Sequence, residues 1–166
     1  MPSDGLVNCK QKYIDQWMEL AGEDNAKFVI IDNLSKKPQK EIKKLMESNI
    51  LIISGGNTFK LLYNLRKSGL DKAITHFANK GEFVLSGYSA GAFVLTPTIK
   101  ICNLSKFSNN DIGLTDLTGL NIVDFEVFPH YNKQNDKLSL KEYCNMATNE
   151  VKEISETGFI KLDLES

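Results

Sequence analysis

The spacing of apolar and polar residues along the chain predicts a regular succession of strands and helices. Short apolar runs are typical of buried strands, whereas apolar residues spaced three or four positions apart are typical of helices. Apolar runs predict strands at residues 27–31, 49–53, 83–85, 99–102 and 122–128. Alternating apolar positions add a terminal strand at residues 158–164. Helical spacing predicts helices at residues 10–20, 38–47, 58–65, 70–79, 90–95 and 138–151.

Helices and strands therefore alternate along most of the chain, as expected of an α/β protein whose parallel sheet is covered on both faces. We predict a three-layer α/β/α architecture with a mostly parallel sheet, formed by a single domain that spans residues 1–166. Gly22 and Gly81 are expected to end the first and fourth helices. Residues 103–119 are polar and contain glycine, so they are expected to form a long loop.

The composition is that of an ordinary globular protein. Hydrophobic residues make up 42% of the 166 residues, charged residues make up 25%, and the formal net charge is −1. The lysines are scattered over predicted helix faces, so neither nucleic acid nor a membrane surface is an expected partner. No apolar run approaches the ~20 residues that a membrane-spanning helix requires.

The cysteines indicate the redox setting. Cys9, Cys102 and Cys144 lie far apart and form no C-x-x-C pair. This spacing indicates neither a zinc site nor a disulfide framework, and no metal is expected. Residues 1–5 also lack the basic and apolar pattern of a secretory signal. We therefore expect a cytoplasmic protein with reduced cysteines.

The segment from residue 83 to residue 95 carries the clearest candidate chemistry. A predicted strand is followed by the pattern G-x-S-x-G, with Ser89 between Gly87 and Gly91, and then by a predicted helix. In this arrangement a serine stands on a sharp strand-to-helix turn, where the N–H groups that begin the helix point toward its oxygen. The pattern indicates a nucleophile. A tight turn whose glycines let a helix pack on a sheet is the alternative interpretation.

Two other segments are expected at the same edge of the sheet, because ligands of parallel sheets bind at the carboxyl ends of the strands. His130 follows the predicted strand 122–128 and can serve as the general base for Ser89. The pair Gly55–Gly56 follows strand 49–53 and can supply one N–H of an oxyanion hole, with the Ala90 N–H as the second. A histidine without a catalytic role and a simple glycine turn are the alternatives. His76 lies in a predicted helix and is expected to be structural or exposed.

Four groups of residues together resemble the peptidase E family, the aspartyl dipeptidases and their cyanophycinase relatives, within the class I glutamine-amidotransferase-like fold. The resemblance covers residues 1 to about 147 and rests on segments 54–62, 87–92, 97–99 and 120–125, the last leading into 129–131. It implies that Ser89 is the nucleophile, His130 the base, and Gly56 and Ala90 the oxyanion donors. It also implies hydrolysis of small peptides through an acyl-enzyme, without a metal or organic cofactor, and an N-terminal aspartate in the substrates of the dipeptidases.

The chain departs from the family pattern in three respects. It is expected to be shortened at both ends, and missing core strands would leave open sheet edges that favour a homo-oligomer. In the family the histidine is oriented by a glutamate from strands that follow the end of this chain or by an aspartate shortly after the segment matching 97–99, and residues 100–106 contain no carboxylate. Asp111 and Asp116 remain alternatives for this partner, and Glu165 stands too close to the end of the chain to be assigned.

Three other functions remain to be weighed. A catalytically weak or inactive homologue that acts as a binding protein would explain the missing carboxylate. An α/β-hydrolase esterase is disfavoured because His130 follows Ser89 by only 41 residues, and a glutamine amidotransferase would need cysteine at position 89. A substrate carboxylate could be bound by Lys60, Arg66 or Asn57, among which the sequence does not choose.

Overall fold

The structure is a computed structural model that describes residues 1–80, 83–104 and 106–163. The helices are α1 (Gln11–Glu23), α2 (Pro38–Met46), α3 (Thr58–Ser68), α4 (Leu70–Ala78), α5 (Ala90–Leu95) and α6 (Lys133–Cys144). The strands are β1 (Ile50–Ile53), β2 (Val84–Gly87), β3 (Glu126–Phe128) and β4 (Val151–Glu153).

The strands pair in parallel, as the α/β prediction requires. β1 pairs with β2, with Ile50 opposite Val84. β3 pairs with β4, with Glu126 opposite Val151. The predicted single sheet is divided, over the described residues, into these two ladders of two strands each. Because both ladders are parallel, the carboxyl ends of their two strands lie side by side. The segments that follow β1 and β2 are therefore neighbours, and so are those that follow β3 and β4.

The hydrophobic core lies between the strands and the helices that follow β1 and β2. α3 contacts both α4 and α5, and α5 contacts β1, β2 and β3. Fully buried aromatic and aliphatic side chains fill the space between these elements; they include Phe59, Leu62, Ile74, Phe77 and Phe93. The two turns that carry the glycine pair and the serine therefore stand next to the buried core.

Most predicted elements are confirmed, with α5 observed at the predicted bounds. Three predicted strands are wrong. Residues 27–31 join no ladder, and Phe28 and Val29 are more than one third exposed (37% and 39%). Residues 100–103 form a 3₁₀ turn, and residues 158–163 join no ladder, while Leu164 lies outside the described residues.

The bounds of α1 and α6 differ from the predicted bounds. α1 continues through Gly22 to Glu23, and Gly81 lies outside the described residues. α6 begins at residue 133, not at 138, because Asn132 caps it: its Oδ1 accepts the Gln134 N–H at 3.0 Å. The same helix ends at Cys144, so Val151 is free to start β4.

Some apolar surface is left open. α1 buries none of its residues, and Ile50 and Val84 on one face of the β1–β2 ladder are 58% and 55% exposed. None of the helices in the described residues has the length and apolar content needed to cross a bilayer.

Candidate active site

Ser89 stands on a strained turn between β2 and α5. Its backbone has φ 52° and ψ −109°, a conformation that a side chain disfavours and that clusters at functional sites. The Tyr88 N–H donates to the Ile53 carbonyl at 2.9 Å, which continues the β1–β2 ladder up to the turn. The serine is therefore held by a strand on one side and by a buried helix on the other.

The glycines of the motif are required by close backbone approach. A Cβ on Gly91 would lie 2.1 Å from the Ile53 carbonyl oxygen, and a Cβ on Gly87 would lie 2.5 Å from the Gly91 oxygen. Heavy atoms cannot approach so closely, so α5 can cross the ends of β1 and β2 only with glycine at both positions. The same two glycines therefore let α5 pack against the strands and place Ser89 at the turn between β2 and α5.

Replacement of Gly91 by alanine is expected to lower the free energy of unfolding by about 1–3 kcal/mol or more, because the added methyl group must displace the end of β1. Gly22→Ala is the matched control, since nothing lies within 4 Å of a Cβ at that position of α1. The free energy of unfolding of the control should be unchanged or higher by up to about 1 kcal/mol, because alanine has a higher helix propensity than glycine. Urea unfolding measures both; equal stability of the two variants would contradict the proposed packing.

His130 lies directly beyond the end of β3, where the sequence places it. Its Nε2 is 3.1 Å from Ser89 Oγ, so the two predicted catalytic side chains are within hydrogen-bond distance. The imidazole stands edge-on to the Tyr88 ring, with 6.0 Å between ring centroids. Like Ser89, His130 has a positive φ, 55°.

Glu156 completes the arrangement, and sequence reasoning missed it. Its Oε2 is 2.6 Å from His130 Nδ1, on the side of the ring opposite Ser89. The residue follows β4, which is only three residues long. Backbone hydrogen bonds from Tyr131 N–H to Ile154 O (2.9 Å) and from Ile154 N–H to Phe128 O (3.0 Å) extend the ladder beyond β4. These bonds hold the two partners in register.

The earlier alternatives for the histidine's partner are not supported by their positions. Asp116 is 66% exposed at its side chain and pairs with Arg66 at 3.2 Å, and the pKa of its carboxyl is lowered chiefly by the Thr118 N–H. Asp111 is exposed in the long loop. Glu165 lies outside the described residues. The carboxylate on His130 therefore comes from the segment after β4 and not from the loop.

The glycine turn after β1 adjoins the serine. A Cβ on Gly55 would lie 3.2 Å from Ser89 Cβ, and Gly56 has φ 136°, which favours glycine. At the start of α5, the N–H groups of Gly91 and Ala92 donate to the carbonyls of residues 88 and 89. The N–H groups of Gly56 and Ala90 have no acceptor among the described residues. Both predicted oxyanion donors thus lack an acceptor; Ala90 directly follows Ser89, and Gly56 directly follows Gly55, whose Cβ position adjoins the serine.

The residues suggested as carboxylate ligands have other partners. Arg66 donates to the carbonyls of Asp116 (2.8 Å) and Thr118 (2.7 Å), which fastens the long loop to α3. Asn57 caps α3 by accepting the Lys60 N–H at 3.0 Å. The Lys60 ammonium lies 3.4 Å from an Asp4 carboxylate oxygen.

Two features of the chain lie apart from this site. His76 is on α4 and lines a groove with Leu120, and neither Ser89, His130 nor Glu156 lines this groove. In the described residues, no three side chains of the histidine, cysteine, aspartate and glutamate types are grouped so that they could hold a metal ion.

Comparison with known sequences identifies relatives of the chain. The family model of peptidase family S51 matches residues 1–163. An uncharacterized peptidase of Listeria monocytogenes is 37% identical over 89 residues, covering 54% of this chain and 43% of that protein. One from Pasteurella multocida is 38% identical over 132 residues, covering 79% and 63%. Peptidase E of Escherichia coli is 33% identical over 93 residues, covering 54% and 37%. The chain thus spans about half the length of these curated relatives.

Solved structures share the fold. A Listeria monocytogenes EGD-e protein provisionally assigned as a peptidase E superimposes with a TM-score of 0.72 at 27% identity, over 93% of this chain and 75% of that one. A peptidase from an acI-B1 actinobacterium superimposes with a TM-score of 0.66 at 20% identity, over 93% and 65%. The second likeness concerns the fold alone.

Proposed function

Because the chain belongs to peptidase family S51, whose model matches residues 1–163, we propose that it hydrolyses small peptides with Ser89 as the nucleophile. The observation that carries this proposal is the relay Ser89–His130–Glu156, with distances of 3.1 Å and 2.6 Å. A nucleophile, a base and a group that orients the base are the parts that serine-type acyl transfer requires.

The first half of the reaction forms an acyl-enzyme. Ser89 Oγ attacks the peptide carbonyl carbon while His130 Nε2 takes the hydroxyl proton, and the carbonyl electrons move onto oxygen. The Gly56 and Ala90 N–H groups donate to this oxyanion. When the tetrahedral intermediate collapses, the C–N bond breaks and His130 returns the proton to the leaving amine. In the second half, water attacks the ester by the same steps in reverse, and Ser89 regains its proton.

Glu156 acts on this reaction through the histidine. Its carboxylate accepts the Nδ1–H of His130, which leaves Nε2 unprotonated and aimed at the serine hydroxyl. It also stabilises the imidazolium that forms when His130 takes the proton. Because the Glu156 side chain is 71% exposed, water screens this interaction more than in a fully buried triad.

The proposed substrate class rests on the family, and the proposed cellular setting rests on the cysteines. Peptidase E is the name of the Escherichia coli relatives, and we propose peptides with an N-terminal aspartate as the first substrates to assay. Cys9, Cys102 and Cys144 are free, which fits a reducing compartment, so we propose the cytoplasm. The exposed apolar residues Ile50 and Val84 are compatible with a homo-oligomer.

A fluorophosphonate probe tests whether Ser89 is an activated nucleophile. We expect the folded chain to gain one adduct on Ser89, with loss of fluoride, since His130 can take the serine proton. Intact-mass measurement followed by peptide mapping locates the adduct, and the exposed Ser86 on β2 is the internal control. Urea-unfolded chain should gain no adduct. An unlabelled folded chain would favour the alternative function, an inactive homologue that binds a partner.

A further inference from the structure

The N-terminal segment lies alongside the end of β1 and continues past it. The Met1 amino group donates to the Ile52 carbonyl at 2.6 Å, and the Ser54 N–H donates to the Met1 carbonyl at 3.0 Å. The Ser54 hydroxyl donates to the same carbonyl at 3.1 Å. Residue 1 is therefore fastened to the last residues before the glycine turn.

Two residues later, the segment meets the glycine turn itself. The Ser3 hydroxyl oxygen lies 1.8 Å from the point where a Cβ on Gly56 would stand, so it occupies the space that a side chain would need. Ser3 is only 6% exposed, so this contact is enclosed by protein. Gly56 has φ 136°, in a region where glycine meets little steric restraint of its own. The orientation of its peptide must therefore be set by neighbours, and Ser3 is in contact with its Cα.

Ser3 is held in turn from behind. The Asn33 side chain, 3% exposed, donates its Nδ2–H to the Ser3 carbonyl at 3.1 Å. Its Oδ1 is buried and has no hydrogen-bond partner among the described residues. A buried amide oxygen without a hydrogen-bond partner lowers the stability of the fold, so stability does not explain why an asparagine is buried at position 33. Holding the Ser3 main chain is the one interaction that the described contacts give it.

The next residue reaches the helix that follows the turn. The Asp4 carboxylate lies 3.4 Å from the Lys60 ammonium in the first turn of α3. Residues 1, 3 and 4 thus contact the start of the turn of residues 54–57, its Gly56, and the helix that follows it.

We propose that residues 1–4 form a clamp that fixes the glycine turn, and that Ser3 is a positioning residue which aims the Gly56 N–H at the developing oxyanion. This inference rests on the proposed function, in which Gly56 is an oxyanion donor. A donor stabilises the oxyanion only when its direction is set before the reaction begins. Loss of the Ser3 hydroxyl leaves space beside Gly56 and lets its peptide rotate.

Ser3→Ala is the variant that tests the clamp. We expect kcat for a small peptide to fall by about 10–100-fold with KM changed less than about twofold, because loss of a whole oxyanion donor costs about 10²–10³ in kcat. A peptide boronic acid, which mimics the tetrahedral state, should bind more weakly by the same factor. Ser3→Thr keeps the hydroxyl and should restore most of kcat. Ser68→Ala, which removes a half-buried hydroxyl at the far end of α3, should leave kcat unchanged.

A second measurement separates the clamp from the proposed function. The ¹⁵N order parameter of the Gly56 amide should be near 0.85 in the parent chain and below about 0.6 in Ser3→Ala, whether or not the chain turns over substrate. If the parent chain hydrolyses nothing but these values are found, the clamp stands and the function fails. An unchanged kcat, or an equal order parameter in the two proteins, would overturn the clamp.

Discussion

Replacement of Ser89 by alanine is expected to lower kcat/KM for peptide hydrolysis by about 10⁴–10⁶-fold, the range for removing the nucleophile of a serine triad. Without the hydroxyl no acyl-enzyme can form, and His130 has no proton to take. The fold should persist, because alanine meets the same backbone strain at φ 52° as serine does. Steady-state assays on a peptide with an N-terminal aspartate give the rate, and thermal unfolding checks the fold.

The matched control is Ser86→Ala, three residues earlier on β2, where the serine is exposed. This variant should keep the parent rate, which excludes a general effect of losing a serine from this part of the chain. Turnover by Ser89→Ala within tenfold of the parent would show that hydrolysis does not pass through Ser89. The mechanism proposed above would then be wrong, although membership of the S51 family would be unaffected.

Replacement of Glu156 by glutamine is expected to lower kcat by about 10²–10⁴-fold with little change in KM. The glutamine amide can donate to His130 Nδ1, which favours the tautomer with the proton on Nε2, where it cannot accept the serine proton. Because the carboxylate is 71% exposed, water can replace part of its effect, so the loss should fall toward the lower end of that range. The measurement is kcat and KM for the same peptide.

Glu153→Gln is the control for the glutamate, since residue 153 is an exposed glutamate at the end of β4. It removes the same charge three residues away and should leave kcat within about twofold of the parent, as surface charges interact weakly with a site they do not touch. The double variant Ser89→Ala with Glu156→Gln should be no slower than Ser89→Ala alone, because the triad acts as a unit. Parent-like kcat in Glu156→Gln would remove this residue from the mechanism.

The sequence predicts those parts of the site that are marked by residues close to them in the chain. The glycine spacing around Ser89 reflects contacts within a few residues of the serine, such as the approach of Gly87 to the Gly91 carbonyl oxygen. Helical and strand spacing around these turns is strong because α3 and α5 pack into the core. Position at a strand end was enough to predict His130.

Glu156 could not be predicted in this way because nothing local marks it. β4 has three residues, two of them charged, so it shows no apolar run, and its pairing with β3 depends on residues 25 positions earlier. The segment 27–31 shows the opposite error. Its apolar run predicts a strand, but no ladder partner is available among the described residues, and Phe28 and Val29 remain partly exposed. The hydrophobic pattern of a segment indicates how readily it becomes buried. Whether it pairs as a strand depends on which other segments of the chain lie beside it.

The backbone strain at Ser89 has a consequence for how such chains change over time. A glycine at position 89 would adopt φ 52° and ψ −109° without the steric penalty of about 1–3 kcal/mol that a side chain incurs there, and would also end the chemistry. Stability and hydrolysis therefore select opposite residues at this one position. In a lineage released from the need to cleave peptides, drift toward glycine would be favoured by the fold itself.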